Sequence, residues 1–455
     1  MRGAVVLAFA FSLGCGGERC AIRDVTYNGW QCVELTNGRI DVVVAPQLGG
    51  RIVQLRFDGC EYLWVNRELA GKTLAVPMID SAENATGLEQ WANYGGDKLW
   101  PAPQGWSGPA EWPGPPDPFA KGGCTDRGAH TLEVLANDSA EAAVRLTGPN
   151  DLYAGVRFSR VIRLRPRTTS VELIATMENI ADRPVRWGIW QVTQHDSRRE
   201  GGSENGAPTV FHRNLRAWTP VNRQSRYPKG YRVMFGPEDN PQFATVDSPA
   251  GTLFRLEYRH HHAGKAGLDT TAEWLAVTQE APDFLYAHTF PVAPDQQYPD
   301  DASVEFWASG PGTIQLGDTA VAMKEEEPWL IESEVLSPYV ELAPGKKHAF
   351  ATSIHLAHGT GPVLHVTENT AVLEQPGWPR GKLAGKIAFF RDGSLSLAGS
   401  ASGVIRTVRA GEVVDLAALS LPAGPSPARV LLFLMEDPAG QTVQEIPIAP
   451  PIRRK

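Results

Sequence analysis

The segment from Gln31 to Val65 reads QCVELTNGRIDVVVAPQLGGRIVQLRFDGCEYLWV. Its short apolar runs are separated by Asn37-Gly38 and Asp58-Gly59, dipeptides that favour tight turns between antiparallel strands. Between these turns, Ile52–Phe57 alternates apolar and polar residues, which is the pattern of a half-buried strand. The segment therefore predicts a series of short antiparallel strands.

The same period of two recurs through most of the chain. Val171, Leu173, Ala175 and Met177 alternate with polar residues, as the buried and exposed faces of a strand require. Further runs of this kind are Val156–Leu164, Arg186–Thr193, Thr252–Tyr258, Ala302–Ala308 and Ile331–Val335. Many short strands separated by Gly, Pro and Asn predict an all-β protein built as a large antiparallel sandwich.

Length and composition indicate a folded protein of more than one unit. The 455 residues are 42% hydrophobic and 21% charged, which excludes a disordered chain. The net charge of −8 comes without a basic cluster, so no nucleic-acid partner is expected. Pro and Gly gather near residues 375–381, which predicts a main domain over residues 22–370 and a small β-rich C-terminal module over residues 380–455.

The N-terminus has the features of an export signal. Arg2 precedes an apolar run from Ala4 to Phe11, and Ser12-Leu-Gly-Cys15 resembles a bacterial lipobox. We therefore expect residues 1–15 to direct export to the periplasm or cell envelope, with lipid attached at Cys15 as the only membrane contact. The remaining cysteines are even in number, which permits two disulfides. These four residues are Cys20, Cys32, Cys60 and Cys124.

A tryptophan-rich stretch begins at Trp91 and continues through Trp106 to Trp112. Its many Gly and Pro residues predict a loop, and indole rings beside polar groups suit a saccharide, whose C–H face stacks on the ring. The alternative is a loop that only covers the core. The residues expected to bind the saccharide here are Asn93, Asp97, Lys98 and Trp100.

The strand around Trp187–Asp196 is a second candidate site. Alternation places Trp187, Gln191 and His195 on one face, and amide and imidazole groups on an inward face predict a concave, wet surface. Trp187 and Gln191 are expected to contact substrate. His195 is interpreted either as a functional group or as a rim histidine that is hydrogen-bonded to a neighbour.

Glu332 and Glu334 lie two residues apart and therefore share one face of a predicted strand. If that face is buried, both cannot ionise cheaply and one pKa must rise, which suits a general base for a sugar hydroxyl. The alternative is a solvated edge strand. Earlier in the sequence, His288 in a predicted aromatic strand is a candidate acid. Tyr298 in the following loop is a candidate for binding sugar hydroxyl groups. No ligand spacing indicates a metal, and no cofactor is expected.

Four segments resemble the galactose-mutarotase-like superfamily, the β-supersandwich of aldose 1-epimerases. They are Val42–Leu55, Asn93–Pro103, Glu178–Pro184, and Glu332–Pro338 followed by Leu342–Gly345. The second is similar to a loop of an uncharacterised branch, known only as a domain of unknown function and found in exported bacterial proteins. The resemblance implies a β-supersandwich, to which the β-rich residues 380–455 are expected to add a small C-terminal β-sandwich-like extension.

The resemblance also implies a chemistry, in which a Glu deprotonates the anomeric hydroxyl of an aldose and a His protonates the ring oxygen. Glu332 or Glu334 corresponds to the Glu, whereas the family's His-x-Tyr-Phe-Asn-Leu motif is replaced by Gln194-His195-Asp196. His195 or His288 would then supply the acid. The sequence thus predicts an exported carbohydrate-active or carbohydrate-binding protein, and leaves open a non-catalytic glycan-binding lipoprotein or an envelope protein without saccharide affinity.

Overall fold

The computed structural model is built almost wholly from β-strands. It describes residues 19–73, 92–104, 124–204, 207–212, 214–280, 282–316, 319–324, 327–379, 382–398, 404–419 and 432–448. Within these ranges helical structure is confined to short 3-10 turns, among them Arg67–Leu69, Pro299–Asp301 and Leu416–Ala418. The predicted all-β class is confirmed. Residues 1–15 with Cys15, and Trp91, Trp106 and Trp112, lie outside the described residues.

Twelve strands form the first large sheet, here numbered in chain order. Its central path is β1 (Ala21–Tyr27), β2 (Trp30–Thr36), β3 (Ile40–Ala45), β4 (Arg51–Phe57), β6 (Asp97–Ala102), β11 (Val185–Asp196), β24 (Leu330–Leu336), β21 (Val304–Ala308), β18 (Gly264–Leu268) and β15 (Arg232–Phe235). Two short strands flank this path, β5 (Cys60–Glu61) beside β4 and β25 (Val340–Leu342) beside β11. The segment Gln31–Val65 supplies nearly all of β2 to β5, with the predicted turns between β2 and β3 and between β4 and β5.

Ten strands form the second large sheet. In spatial order they are β16 (Phe243–Ser248), β17 (Gly251–Glu257), β14 (Arg216–Pro220), β19 (Trp274–Glu280), β20 (Asp283–Thr289), β26 (Lys347–Ala357), β10 (Ser170–Asn179), β9 (Val156–Leu164), β8 (Ala142–Thr147) and β7 (Thr131–Asn137). Along β10 every second residue is buried, as its alternation predicted. These buried residues share one core with apolar side chains of the first sheet, so the two sheets pack face to face.

Two four-stranded sheets and two hairpins complete the described fold. The C-terminal sheets are β27 (His365–Val366), β28 (Thr370–Gly377), β29 (Ala384–Phe389) and β32 (Val413–Asp415), and β31 (Val404–Val408), β30 (Gly393–Leu397), β33 (Leu432–Glu436) and β34 (Thr442–Pro447). They enclose a small apolar core of their own. The hairpins are β12 (Arg198–Glu204) with β13 (Ala207–His212), and β22 (Gly312–Leu316) with β23 (Thr319–Met323). The division of the chain at residues 370–380 stays a prediction.

Part of the tryptophan-rich stretch is a strand and not a loop. Asp97–Ala102 is strand β6, all of it buried, so the loop prediction is wrong for these residues. Pro101 concealed this strand in the sequence, because proline lacks the amide hydrogen that a strand residue normally donates to its neighbour. β6 pairs with β11 along its length but with β4 only at Asp97, and a strand position with one partner tolerates proline.

The expected disulfides are also absent, since no disulfide joins any two of the four cysteines among the described residues. The thiol of Cys20 lies 3.6 Å from the carbonyl oxygen of Leu164, whereas that of Cys124 lies 3.4 Å from the carbonyl oxygen of Asn150. The even count of cysteines permitted pairing, but their places in the fold do not bring them together. None of the described segments forms a helix of the length and apolarity needed to cross a bilayer.

Candidate functional site

The central strand β11 presents its side chains alternately to two different environments. Its inner face, which carries Trp187, Gln191 and His195, packs against the second sheet, where Thr352 Oγ1 donates to Gln191 Oε1 at 3.0 Å. The outer face carries Trp190, Val192 and Gln194 and points away from the second sheet. The inner face is therefore enclosed between the sheets instead of forming the wet surface that the sequence predicted.

Asp97 is the centre of a polar network on the inner face. The carboxylate is fully buried and pairs with the guanidinium of Arg160 on β9. Its other oxygen accepts hydrogen bonds from Gln191 Nε2 at 2.8 Å and Thr193 Oγ1 at 2.6 Å. Asp97 and Gln191, both predicted to bind substrate, thus tie β6 and β11 to the second sheet.

The two candidate histidines lie in the same internal layer. His195 Nε2 is 2.8 Å from Ser333 Oγ, and His288 Nδ1 is 3.3 Å from the hydroxyl of Tyr286. Burial lowers the pKa of each imidazole to about 3, so both are neutral at physiological pH. The first sheet separates them from the outer face, where the two candidate glutamates lie.

The outer face brings together Lys98, Glu332 and Glu334. In the strand register Val192 lies opposite both Lys98 and Glu334, and Gln194 lies opposite Glu332. Lys98 Nζ is 3.7 Å from Glu332 Oε1, which also accepts a hydrogen bond from Gln194 Nε2 at 2.5 Å. The Glu332 side chain is 13% exposed and that of Lys98 2%. Burial lowers the pKa of Lys98, while Glu332 opposes this shift.

Two indole rings form the apolar part of this face. Trp100 and Trp190 are cross-strand neighbours whose ring centroids are 5.3 Å apart in an edge-to-face arrangement. The ammonium group of Lys98 lies 4.3 Å from the Trp100 ring, and that of Lys265 lies 4.4 Å from the Trp190 ring. The rings therefore hold cations by cation–π attraction. Both are buried, so Trp100 is not the solvent-facing stacking platform that the sequence predicted.

A second charged group, missed by sequence reasoning, adjoins Glu334. We call Lys265, Glu305 and Glu334 the buried triad. Lys265 Nζ lies 2.7 Å from Glu305 Oε2 and 2.9 Å from Glu334 Oε2. Burial raises the pKa of Glu334 to about 8 and also raises that of Glu305, although Lys265 opposes both shifts. The signal in the sequence was a charged residue inside each of two short apolar runs, Gly264–Leu268 and Val304–Ala308.

The turn that leads into β6 fixes the position of Lys98. Gly95 and Gly96 have φ values of +89° and +81°, and a Cβ atom on either would lie within 2.3 Å of a backbone oxygen. Arg51 Nη1 donates to the carbonyl oxygen of Gly95 at 2.9 Å, and Asn93 Oδ1 accepts from Gly95 N at 3.2 Å. Asn93, predicted to bind substrate, is thus placed to shape this turn.

Trp187 and Tyr298 lie away from the Lys98–Glu332 pair. Trp187 is seven residues, or roughly 23 Å, along β11 from Gln194, and its Nε1 donates to the carbonyl oxygen of Ala154 at 2.9 Å. The hydroxyl of Tyr298 accepts from Ala293 N at 2.8 Å. Both side chains belong to the main core. Among the described residues, no three His, Cys, Asp or Glu side chains are arranged to hold a metal ion.

Comparison with known proteins shows what this fold resembles. A TPR-domain containing protein from Parabacteroides distasonis is 10% identical with a TM-score of 0.43, over 77% of this chain and 55% of that one. A galactose mutarotase related enzyme from Lactobacillus acidophilus is 12% identical with a TM-score of 0.41, over 74% and 98%. A galactose mutarotase-like protein from Lactobacillus casei is 12% identical with a TM-score of 0.41, over 71% and 99%.

These likenesses concern the fold alone. At that level the chain is similar to solved galactose-mutarotase-like proteins. None of the curated proteins compared with this chain matches it. A family model does match, over residues 30–354, from the first strands of the large sheet to the last strand that precedes the C-terminal sheets. The chain therefore belongs to the family described as "Domain of unknown function (DUF4380)".

Proposed function

We propose that this protein binds an aldose at the outer face of its first sheet and interconverts the two anomers by acid–base chemistry. The observation that carries the proposal is the Lys98–Glu332 pair, an ammonium and a carboxylate 3.7 Å apart. The pair lies on a face that also carries amide and carboxyl groups, which suit the hydroxyl groups of a sugar.

The pair fits the reacting centre of a hemiacetal, whose ring oxygen and hydroxyl oxygen are bonded to the same carbon. An acid and a base that serve both oxygens must therefore lie side by side. Glu332 takes the proton of the anomeric hydroxyl while Lys98 gives a proton to the ring oxygen, and the bond between that oxygen and the anomeric carbon breaks. The open aldehyde rotates, and closure on its other face returns both protons.

Lys98 is assigned the acid role because burial lowers its pKa, so that its ammonium group releases a proton more readily than an exposed lysine. Gln194 supports Glu332 as the base, since its amide holds one carboxylate oxygen in place. His195 and His288 receive no part in this scheme, because both lie between the sheets. For location we propose the cell envelope, supported by residues 1–15 with their lipobox-like Cys15.

The test is NMR exchange spectroscopy of α and β anomers in a panel of free aldoses, with the wild-type protein and with Lys98→Met and Glu332→Gln. Removing a positioned acid or base typically costs about 10²- to 10⁴-fold in rate, so either variant should abolish measurable exchange. Lys346→Met and Glu341→Gln are matched controls, because both residues are exposed and belong to other strands or turns.

Exchange that survives in both site variants would contradict the assignment of Lys98 and Glu332. Sugar binding without exchange in the wild-type protein would instead favour the non-catalytic glycan-binding alternative.

A further inference from the structure

The buried triad is an independent group of charges beside the Lys98–Glu332 pair. Its members come from three adjacent strands, β24, β21 and β18, and Glu305 and Glu334 are direct cross-strand neighbours. The side chains of both glutamates are fully buried, and that of Lys265 is 6% exposed. The anomer interconversion proposed for Lys98 and Glu332 uses none of these three residues.

The charges of the triad do not balance unless it retains one proton. Two carboxylates facing one ammonium would leave an excess negative charge among buried side chains, which favours a proton shared by the two carboxyl groups. The raised pKa values of Glu305 and Glu334 agree with this count. The other charged groups that face the triad are Glu332, Lys98 and Asp300.

Several buried polar atoms in the triad and in the neighbouring Lys98–Glu332 region have no hydrogen-bond partner among the described residues. Among them are Glu334 Oε1, Gln194 Oε1 and Trp190 Nε1, all on the outer face. Buried polar groups are normally paired, so these atoms indicate that a ligand or water completes the set. Two oxygens and one N–H are complementary to hydroxyl groups, each of which both donates and accepts.

We propose that the buried triad forms a second subsite next to the Lys98–Glu332 pair, in which Glu305 and Glu334 share one proton and Glu334 Oε1 accepts a hydrogen bond from an uncharged, hydroxyl-bearing part of the ligand. This inference rests on the proposed function for the identity of the ligand as a sugar. An anionic group entering the subsite would meet two carboxyl groups and a lysine that is already paired with both. The subsite therefore selects neutral sugars and refuses sugar phosphates and sugar acids.

The first experiment compares binding of matched ligands by calorimetric titration at pH 7. The probes are D-glucose, D-galactose, D-mannose and D-xylose, with glucose 6-phosphate, galactose 6-phosphate, mannose 6-phosphate and glucuronate as anionic counterparts. At least one neutral sugar should bind at least tenfold more tightly than its anionic counterpart. Equal or tighter binding of the anionic counterparts, or the absence of binding by every neutral sugar, would overturn the proposal.

The second experiment measures binding of that neutral sugar at pH 6.5 and pH 9. Deprotonation as the pH rises through about 8 removes the shared proton, so wild-type binding should weaken at least fivefold. In Glu305→Gln an amide replaces one carboxyl group, leaving Lys265 and Glu334 as a simple ion pair, and binding should change less than twofold over this range. Glu341→Gln is the matched control and should keep the wild-type dependence.

A Glu305→Gln protein that is folded by circular dichroism and keeps the wild-type pH dependence would refute the shared proton. If this variant does not fold, Glu305→Asp replaces it, and the shared proton then predicts that the pH dependence persists with a shifted midpoint. Anomer exchange is recorded separately in the same samples. Neutral-sugar binding with the expected pH dependence but without exchange would refute the proposed reaction and leave the subsite standing.

Discussion

At the scale of single residues, the side of the strand decides what a polar group does. Asp97 and Lys98 are neighbours in the sequence, yet side chains alternate across a sheet. Asp97 therefore pairs with Arg160 between the sheets, whereas Lys98 pairs with Glu332 on the outer face. Neighbouring polar residues in the sequence thus separate into one group that joins the two sheets and one to which we assign the proposed acid–base chemistry.

The enclosed histidines make the protein sensitive to acid. Burial holds the pKa of His288 at about 3 in the folded protein, against about 6.5 in an unfolded chain. Below pH 6.5 the unfolded state binds a proton that the folded state does not, so stability falls as pH falls. We expect His288→Gln to reduce the loss of unfolding free energy between pH 7 and pH 5 by about 2 kcal/mol, measured by urea unfolding.

The quantity compared between the proteins is the change in unfolding free energy from pH 7 to pH 5, because the substitution also alters packing and therefore the stability at pH 7. His261→Gln serves as the control, since His261 is exposed, and should lose as much stability on acidification as the wild-type protein. An equally steep loss in His288→Gln would mean that His288 is not held neutral by burial.

At the scale of elements, the turn before β6 places the strand that carries Lys98 and Trp100. Both Gly95 and Gly96 adopt left-handed backbone conformations, which residues with a Cβ atom rarely tolerate. At Gly96 a Cβ atom would also lie 2.3 Å from the carbonyl oxygen of Ile52 on β4. Close approach of β4 and β6 therefore requires glycine here for two separate reasons.

Gly96→Ala should destabilise the protein by about 2–3 kcal/mol, the cost of a strained backbone plus a displaced neighbour, and should slow anomer exchange by moving Lys98. Urea unfolding and NMR exchange measure the two effects. Gly59→Ala separates backbone strain from steric clash, because Gly59 has a φ of +72° but nothing lies within 4 Å of an added Cβ. This control should cost about 1 kcal/mol and leave exchange unchanged; equal costs at both glycines would rule out the steric explanation.

At the scale of the whole molecule, the C-terminal sheets are packed onto the second large sheet. One apolar cluster contains Trp218, Trp274 and Leu285 from that sheet together with Leu373 and Phe390 from the C-terminal part. Phe390 also stacks on the imidazole of His355, with ring centroids 4.7 Å apart. The cluster joins the two parts through a shared core, so they should unfold together.

We therefore expect a single calorimetric transition for the wild-type protein. Phe390→Ala should lower the unfolding free energy by about 3–5 kcal/mol, as truncation of a buried phenylalanine does, and should split the transition by weakening the shared core. Phe389→Ala is the matched control, because Phe389 is equally buried but belongs to the separate C-terminal core. Two transitions in the wild-type protein would contradict the coupling.

Local regularities explain which parts of this fold and site were predictable. Tight-turn dipeptides and period-two alternation act within a few residues, so β2 to β5 and β10 were readable from the sequence. β6 was not, because Pro101 is acceptable only where a strand lacks one neighbour, and that depends on pairing with distant strands.

The sequence by itself determined that the protein is all-β and that Glu332 and Glu334 share a face, because alternation is a property of the extended backbone. Only the tertiary structure decided which face that is. Strand order places Lys98 beside Glu332 and brings Lys265 and Glu305 against Glu334, across separations that no local period encodes. It also encloses His195 and His288 between the sheets, since the facing sheet determines which side of a strand loses contact with water.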